Sequence, residues 1–354
     1  MIRLKGTITA QSPIAVSYMD MDAALPRTPH GEVLLYGGTF RGPLRKAAYK
    51  AVRAKLAVFR GVAERGVFSL EQAYMLAEGV DTTREIENES SDAIDPKGEH
   101  ELRRLNPLLN LFGRWRLPSR LSVDGMRAPE DSVMIVGKGV RHDMFVREPE
   151  EIEFLSDEQA QRLVRQLTSE RNTQIEIDGI NEAIKRLKRE IATTEDTHKR
   201  QQISEQIAEH QNQIKALKKQ REGAEESTKH PLAGFEAIAP GTELSHRMTL
   251  ISGGDIELGL LLHALCTLAR TPYLGGHRGV GCGQFSADWS VEEWPVGELA
   301  PHEIGRVAFD DTGMDVQGAR LKQAMDTFDN ALGEFDFTVA TLAQARKRMA
   351  AEVA

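Results

Sequence analysis

The sequence predicts an α+β fold carrying a helical insertion, and three observations lead there. Residues 2–9 alternate, with Ile2, Leu4 and Ile8 on one side and Arg3, Lys5, Thr7 and Thr9 on the other, the period of a half-buried strand. Residues 157–227 are rich in Ile, Leu, Glu, Lys, Arg and Gln, with apolar residues stepping by three and four. The order strand, helix, strands, long helical insertion, strand, helix, strand is an α+β order, compatible with a ferredoxin-like core.

Each element follows in turn. After the first strand, Pro13, Pro26, Pro29 and Gly31 break residues 11–31 into an extended loop that contains Asp20 and Asp22. The apolar run Val33–Tyr36 leads to Gly37-Gly38 and a helix whose predicted first residue is Pro43, where a missing N–H costs nothing. Leu44, Ala47, Ala48, Ala51, Leu56 and Phe59 form its stripe, and Arg45, Lys46, Lys50 and Arg53 lie mainly outside it, so its charge is expected on display.

Residues 81–101 are polar and acidic and predict a loop excursion. In the insertion, Ile177, Ile180, Ile184, Leu187 and Ile191 form one register. Ile203, Ile207, Ile214 and Leu217, with His210 in the gap, form another that is out of phase, the break falling at 193–199. An antiparallel hairpin over 157–227 fits best, and one bent helix also fits. A strand pair is predicted at 235–251, a helix at 255–270 with Ile256, Leu260 and a core His263 on one face, and a strand ending near Trp289. The core therefore spans 1–156 and 228–300, and 301–354 is expected to be a helical extension.

The 354 residues are 40% apolar, enough for a sizeable core. Acidic residues outnumber basic ones 53 to 45, for a formal charge of −8, which on totals alone argues against nucleic acid as a partner. Distribution reverses that argument. Residues 37–60 hold seven Lys or Arg and no acid, residues 102–123 hold five Arg and no acid, and Lys138, Arg141 and Arg147 form a smaller cluster. A lone basic helix is usually a solvated face, but three basic segments in an acidic chain fit a groove that tracks phosphates.

Cys266 and Cys282 form no closely spaced ligand pair, so neither a disulfide framework nor a structural zinc is expected, and no cofactor is. MIRLKGTITA has no basic segment leading into an apolar run, and no apolar stretch approaches membrane-spanning length; the expectation is a soluble, cytoplasmic chain with no membrane partner. The segment GGHRGVGCGQF, 275–285, lacks the dinucleotide spacing and follows a helix rather than a strand. It can form a backbone anion site with Arg278, or simply a tight turn. Asp20 and Asp22 could bind a metal or assist proton transfer from an RNA 2′-hydroxyl, or could be solvated loop residues.

Three segments, in order, resemble motifs of one family. GGTFRGPLRKAA resembles the segment at the start of the first helix in RAMP-superfamily CRISPR proteins, NLFGRWRLPSRLSV resembles their FG…SRL segment, and GGHRGVGCGQF their glycine-rich loop. Within that superfamily the sequence is most similar to the backbone ("Cas seven") subunit, in its type IV version by length and by VGKGVRHDMFVR, with type III next.

The resemblance implies a modified RRM-like palm, helical fingers and a β-hairpin thumb near 230–247, with Leu232 and Phe235 as wedges. It implies a crRNA-binding subunit of an antiviral ribonucleoprotein complex, copies of which form a helical filament along the guide beside other effector subunits and a complementary DNA or RNA target. Arg41, Arg45, Arg114, Arg116, Arg120, Arg141 and Arg278 would contact guide phosphates, with Thr39 and Ser119 in the same segments, and Gly37, Gly38 and Gly279 would let the backbone come close. Type III subunits cut target RNA with a loop aspartate, whose place here falls to Asp22 or Asp20. Thr28 stands where the type III pattern ends in another Asp, and type IV complexes are regarded as lacking the activity, so the expectation is binding without cutting. A metal-dependent endoribonuclease and a structural assembly protein acting through the hairpin are the alternatives.

Overall fold

The computed structural model describes residues 1–16, 24–83, 85–86, 95–137, 139–141, 155–193, 196–220, 230–232 and 234–353. In chain order the elements are β1 (Ile2–Ala10), β2 (Val33–Leu35), α1 (Gly38–Arg60), α2 (Leu70–Glu78), α3 (Pro96–Leu105), α4 (Pro107–Phe112), β3 (Leu121–Val123), β4 (Met126–Ala128), β5 (Val133–Val136) and β6 (Gly139–Arg141). They continue as α5 (Asp157–Thr193), α6 (Thr197–Gln220), β7 (His230–Leu232), β8 (Phe235–Ile238), β9 (Glu243–Leu250), α7 (Asp255–Ala269), β10 (Phe285–Glu293), β11 (His302–Asp310), β12 (Gly313–Gln317), α8 (Ala319–Asn330) and α9 (Leu342–Val353). The chain divides into two compact units, Met1–Val136 with Gly234–Ala354, and Gly137–Ala233.

The first unit is a mixed α+β body built on an eight-stranded antiparallel sheet of order β12-β11-β10-β1-β9-β4-β2, with β3 also on β9. The alternation of β1 sets its two faces. Ile2, Leu4, Ile8 and Ala10 are buried, and β9 and β10 add Leu244, Met248, Leu250, Phe285, Trp289 and Val291 to the same core. Helices α1, α7 and α8 pack together over this side. Gly259 of α7 lies so near α8 that a Cβ would sit 2.2 Å from the Ala324 carbonyl oxygen.

Several expectations are corrected. Helix α1 starts at Gly38, five residues before Pro43, because the first turn of a helix needs no intrahelical donor and Gly38–Arg41 can adopt it freely. The 230–247 segment is no hairpin paired on itself: β7 pairs with β6, β8 with β5, and β9 lies next to β1 in the main sheet. The 301–354 segment is not wholly helical, since β11 and β12 extend the sheet beyond β10. Their edge strands carry charged residues and Gly305 and Gly313, and a register shift at Val291/Glu292 breaks the alternation a strand reading needs. The predicted 81–101 loop excursion includes the start of α3.

In the second unit α5 and α6 are separate helices packed on each other, with Ile177, Ile184 and Ile203 buried between them. The interruption falls where the two apolar registers go out of phase. No described helix is long and apolar enough to cross a membrane.

Candidate nucleic-acid interface

The basic segments of the first unit meet in two clefts beside α1. The larger, about 810 Å³, runs between α1 and the end of α7 and is lined by Lys46, Lys50, Arg53 and Lys55 from α1, Arg270 just past α7, and Arg278 of the glycine-rich loop. Its two acids are already engaged: Glu78 pairs with Lys46 at 2.8 Å and Glu64 with Arg53 at 3.0 Å. Lys55 pairs with Asp329 at 2.7 Å. Lys50 and Arg270 are exposed and make no ion pair among the described residues. Arg278 donates to the Tyr273 carbonyl at 3.1 Å and its guanidinium lies 5.5 Å from the Tyr273 ring. Three cations without carboxylate partners among the described residues therefore face one groove, a charge arrangement that attracts polyanions.

The smaller cleft, about 360 Å³, lies between the start of α1 and the loop after α4. It is lined by Arg41, Arg45, Gly113, Arg114, Trp115 and Ser119 among others. Arg45 is buried, which corrects the expectation that its charge is displayed. Its Nε donates to Leu76 O at 2.7 Å, Nη2 to Met75 O at 2.8 Å and Nη1 to Gly113 O at 2.9 Å. Burial, and then the neighbouring charge of Arg41, lower its pKa to about 10. Arg45 thereby ties the last turn of α2 to the Gly113 turn, with Met75 O also accepting from the Gly79 N–H at 3.0 Å.

Arg41 is half-buried and donates to the Phe112 carbonyl, and burial lowers its pKa. Arg114 is buried, donating to Ala340 O and Trp115 O, each at 2.7 Å. Ser119 Oγ accepts from the Leu121 N–H and sits 2.8 Å from Leu111 O, so it is engaged with backbone. The Arg120 N–H donates to Asn110 O and its carbonyl accepts from the Ile251 N–H, with the side chain half-buried.

The first turn of α1 does not form an open anion site. The Thr39 N–H donates to Tyr36 O at 2.8 Å, and the Phe40 and Arg41 N–H groups both donate to Gly37 O. Gly37 is required by close approach of the β3 end: a Cβ there would lie 2.1 Å from Val123 O, whereas one at Gly38 would meet nothing. In the glycine-rich loop, Gly275 has φ +72 and packs on Ala15, a tight turn, while Gly279 is open and adjoins Arg278. Phe235 is stacked on His277 of that loop, ring centroids 4.1 Å apart at 12°.

Asp20, Asp22, Lys138 and Arg147 lie outside the described residues, as do the side chains of Arg141 and Leu232. No group of three or more His, Cys, Asp or Glu suited to a metal occurs among the described residues. Both cysteines are free.

The solvent side of the sheet is polar. Lys5 faces Arg247 and Ser290 across the neighbouring strands, and Thr7 faces Ser245 and Asp288. None of the outward residues of β1, β9 or β10 is aromatic. The cleft-lining residues missed by sequence reasoning are Arg270, which ends a helix read only for its apolar face, and Trp115, which sits inside a motif read only for its arginines. Lys50 was visible as part of the basic helix.

No protein-family model matches the sequence, and no curated protein matches it. Among solved structures, a chain of a "Type IV-B CRISPR Complex" is similar at 16% identity and a TM-score of 0.38, over 85% of this chain and 94% of that one. These values are below those that identify a common fold.

Proposed function

We propose that this chain is a guide-RNA-binding backbone subunit of a type IV-like CRISPR effector ribonucleoprotein complex, several copies of which align along one RNA without cutting it. The observation that carries the reading is the groove in which Lys50, Arg270 and Arg278 meet, because it joins the basic helix to the glycine-rich loop, two of the three segments on which the sequence resemblance rests. The order β1, α1, β4, β9, α7, β10 with β10-β1-β9-β4 adjacent supports a ferredoxin-like, RRM-like palm. An RRM-like sheet that binds RNA stacks bases on aromatic strand residues. The sheet here offers none from its three central strands, whereas the uncompensated positive charge lies on the helix side, so the guide is assigned to the groove.

The test is direct. The purified chain should carry short RNA, and once stripped of it should bind single-stranded RNA with an affinity that falls as salt rises, with a log–log slope of about −2 for three phosphates neutralised on a single strand. Absence of any affinity for single-stranded RNA at low salt, alone or with co-purifying subunits, would overturn the reading.

A further inference from the structure

Trp115 is 57% exposed and stands at the mouth of the smaller cleft, beside Arg41 and Arg114. A large aromatic ring is not left in water by lack of alternatives: Phe112 and Leu117, on either side of it in sequence, are both buried. The backbone fixes it there. Arg114 and Leu117 exchange both N–H···O bonds, at 3.0 and 2.9 Å, and close a two-residue turn with Trp115 and Arg116 at its tip. Arg116 in that turn has φ 65, a conformation that favours glycine and is strained for arginine. Its guanidinium lies 4.4 Å from the centroid of the Trp115 ring. A strained arginine thus stacks on an exposed indole above a cleft with three arginines in its walls.

We infer that Trp115 is a nucleobase-stacking site: a base of single-stranded RNA lies on the indole while its phosphate meets the Arg41 side of the cleft. Indole and guanidinium planes both accept any base, and the buried arginines supply the positive potential that a phosphate needs. The inference rests on the RNA-binding reading and adds to it a contact that charge alone does not provide.

The experiment compares the full-length chain with W115A and W115F, using fluorescein-labelled U12 RNA and an abasic phosphodiester chain of equal length and charge. W115A is expected to weaken U12 binding about 5- to 150-fold, the span of one base–aromatic stack, with an unchanged salt slope and no loss toward the abasic chain. W115F should retain most of the affinity. U12 should quench the tryptophan fluorescence of the wild type and not that of W115F, a readout that survives if W115A folds poorly.

Equal U12 affinity in wild type and W115A would overturn the stacking site while leaving the RNA reading intact. So would equal losses toward U12 and the abasic chain, or a change confined to self-association, which would make Trp115 a protein contact. No U12 binding by the wild type at low salt would overturn both readings.

Discussion

Trp289 donates its indole N–H to Nδ1 of His246 across 3.2 Å, in the core beneath the sheet, with Phe40 of α1 against both rings. That bond requires a neutral imidazole, and burial lowers the His246 pKa from 6.5 to about 4. The unfolded chain therefore takes up this proton first as pH falls. Its stabilisation is complete above about pH 6.5 and declines toward pH 4, by about 3 kcal/mol in full. Burial lowers the His263 pKa as well, with the same sign. The urea midpoint is expected to drop between pH 6.5 and 5, a range above the one in which the Arg27-bound Glu236 and Arg306-bound Asp288 take up protons. H246Q, which keeps an acceptor for Trp289, should flatten that drop; an equally steep drop in the variant would show that other groups cause it.

Arg45 predicts a stability phenotype. Truncating it to alanine leaves the carbonyls of Leu76 and Gly113 without the donors Arg45 supplies and Met75 O with the Gly79 N–H alone, which at typical values for charge-assisted bonds costs about 2–4 kcal/mol. R45K should recover only part, because one ammonium cannot reproduce the guanidinium's fan of three donors. Thermal unfolding measures both. A melting temperature unchanged in R45A would mean that the α2 end and the Gly113 turn are held by other contacts.

Charge reversal in the larger groove should behave in the opposite way. Lys50 and Arg270 are exposed and unpaired among the described residues, so K50E/R270E should change stability by less than about 1 kcal/mol. It should nonetheless weaken RNA binding and make the salt slope shallower by about 1 to 2. Unchanged slope with unchanged affinity would move the phosphate track elsewhere.

The sequence and the structure part company for identifiable reasons. The alternation of Ile2, Leu4 and Ile8 reads as a strand because the two faces of β1 meet opposite environments, and the heptads of α5 and α6 read as a pair because their buried isoleucines keep helical spacing. Helix α2, not among the elements predicted from sequence, carries a local signal in Ser69 and Gln72, which form a reciprocal capping box. The fates of the arginines were not legible. Arg45 and Arg114 reach carbonyls on α2 and near Ala340, distant in sequence, so nothing in their own segments separates them from the exposed Lys50. Acid-free composition marks segments that line the two clefts and does not say which of their cations are built into the fold.

Gly37 and Gly38, adjacent and chemically identical, should respond differently to alanine. At Gly37 the new methyl would collide with the Val123 carbonyl, backbone that cannot yield without separating β3 from α1. At Gly38 it meets nothing, and alanine in a first helical turn restricts the unfolded chain at a gain of up to about 1 kcal/mol. Chemical denaturation should show G37A destabilised and G38A equal to or more stable than wild type. The reverse order would contradict the packing of the β3 end on this turn.

The hairpin unit can be removed at a point the register defines. Val136 and Phe235 are the last partners of the β5–β8 pair, so Asn-Gly in place of 137–234 would close them with a two-residue hairpin turn. The first unit holds its own sheet and core, and the variant is expected to unfold cooperatively and to keep the RNA affinity of the full chain. Self-association, measured by sedimentation in the presence of RNA, is where the variant should differ if α5 and α6 serve assembly. Loss of RNA affinity in a variant with an intact fold would transfer RNA binding to the hairpin unit. Intact affinity with lost association would instead assign the two functions to the two units, with the phosphate track beside α1 and contact between copies through the isoleucine-seamed pair.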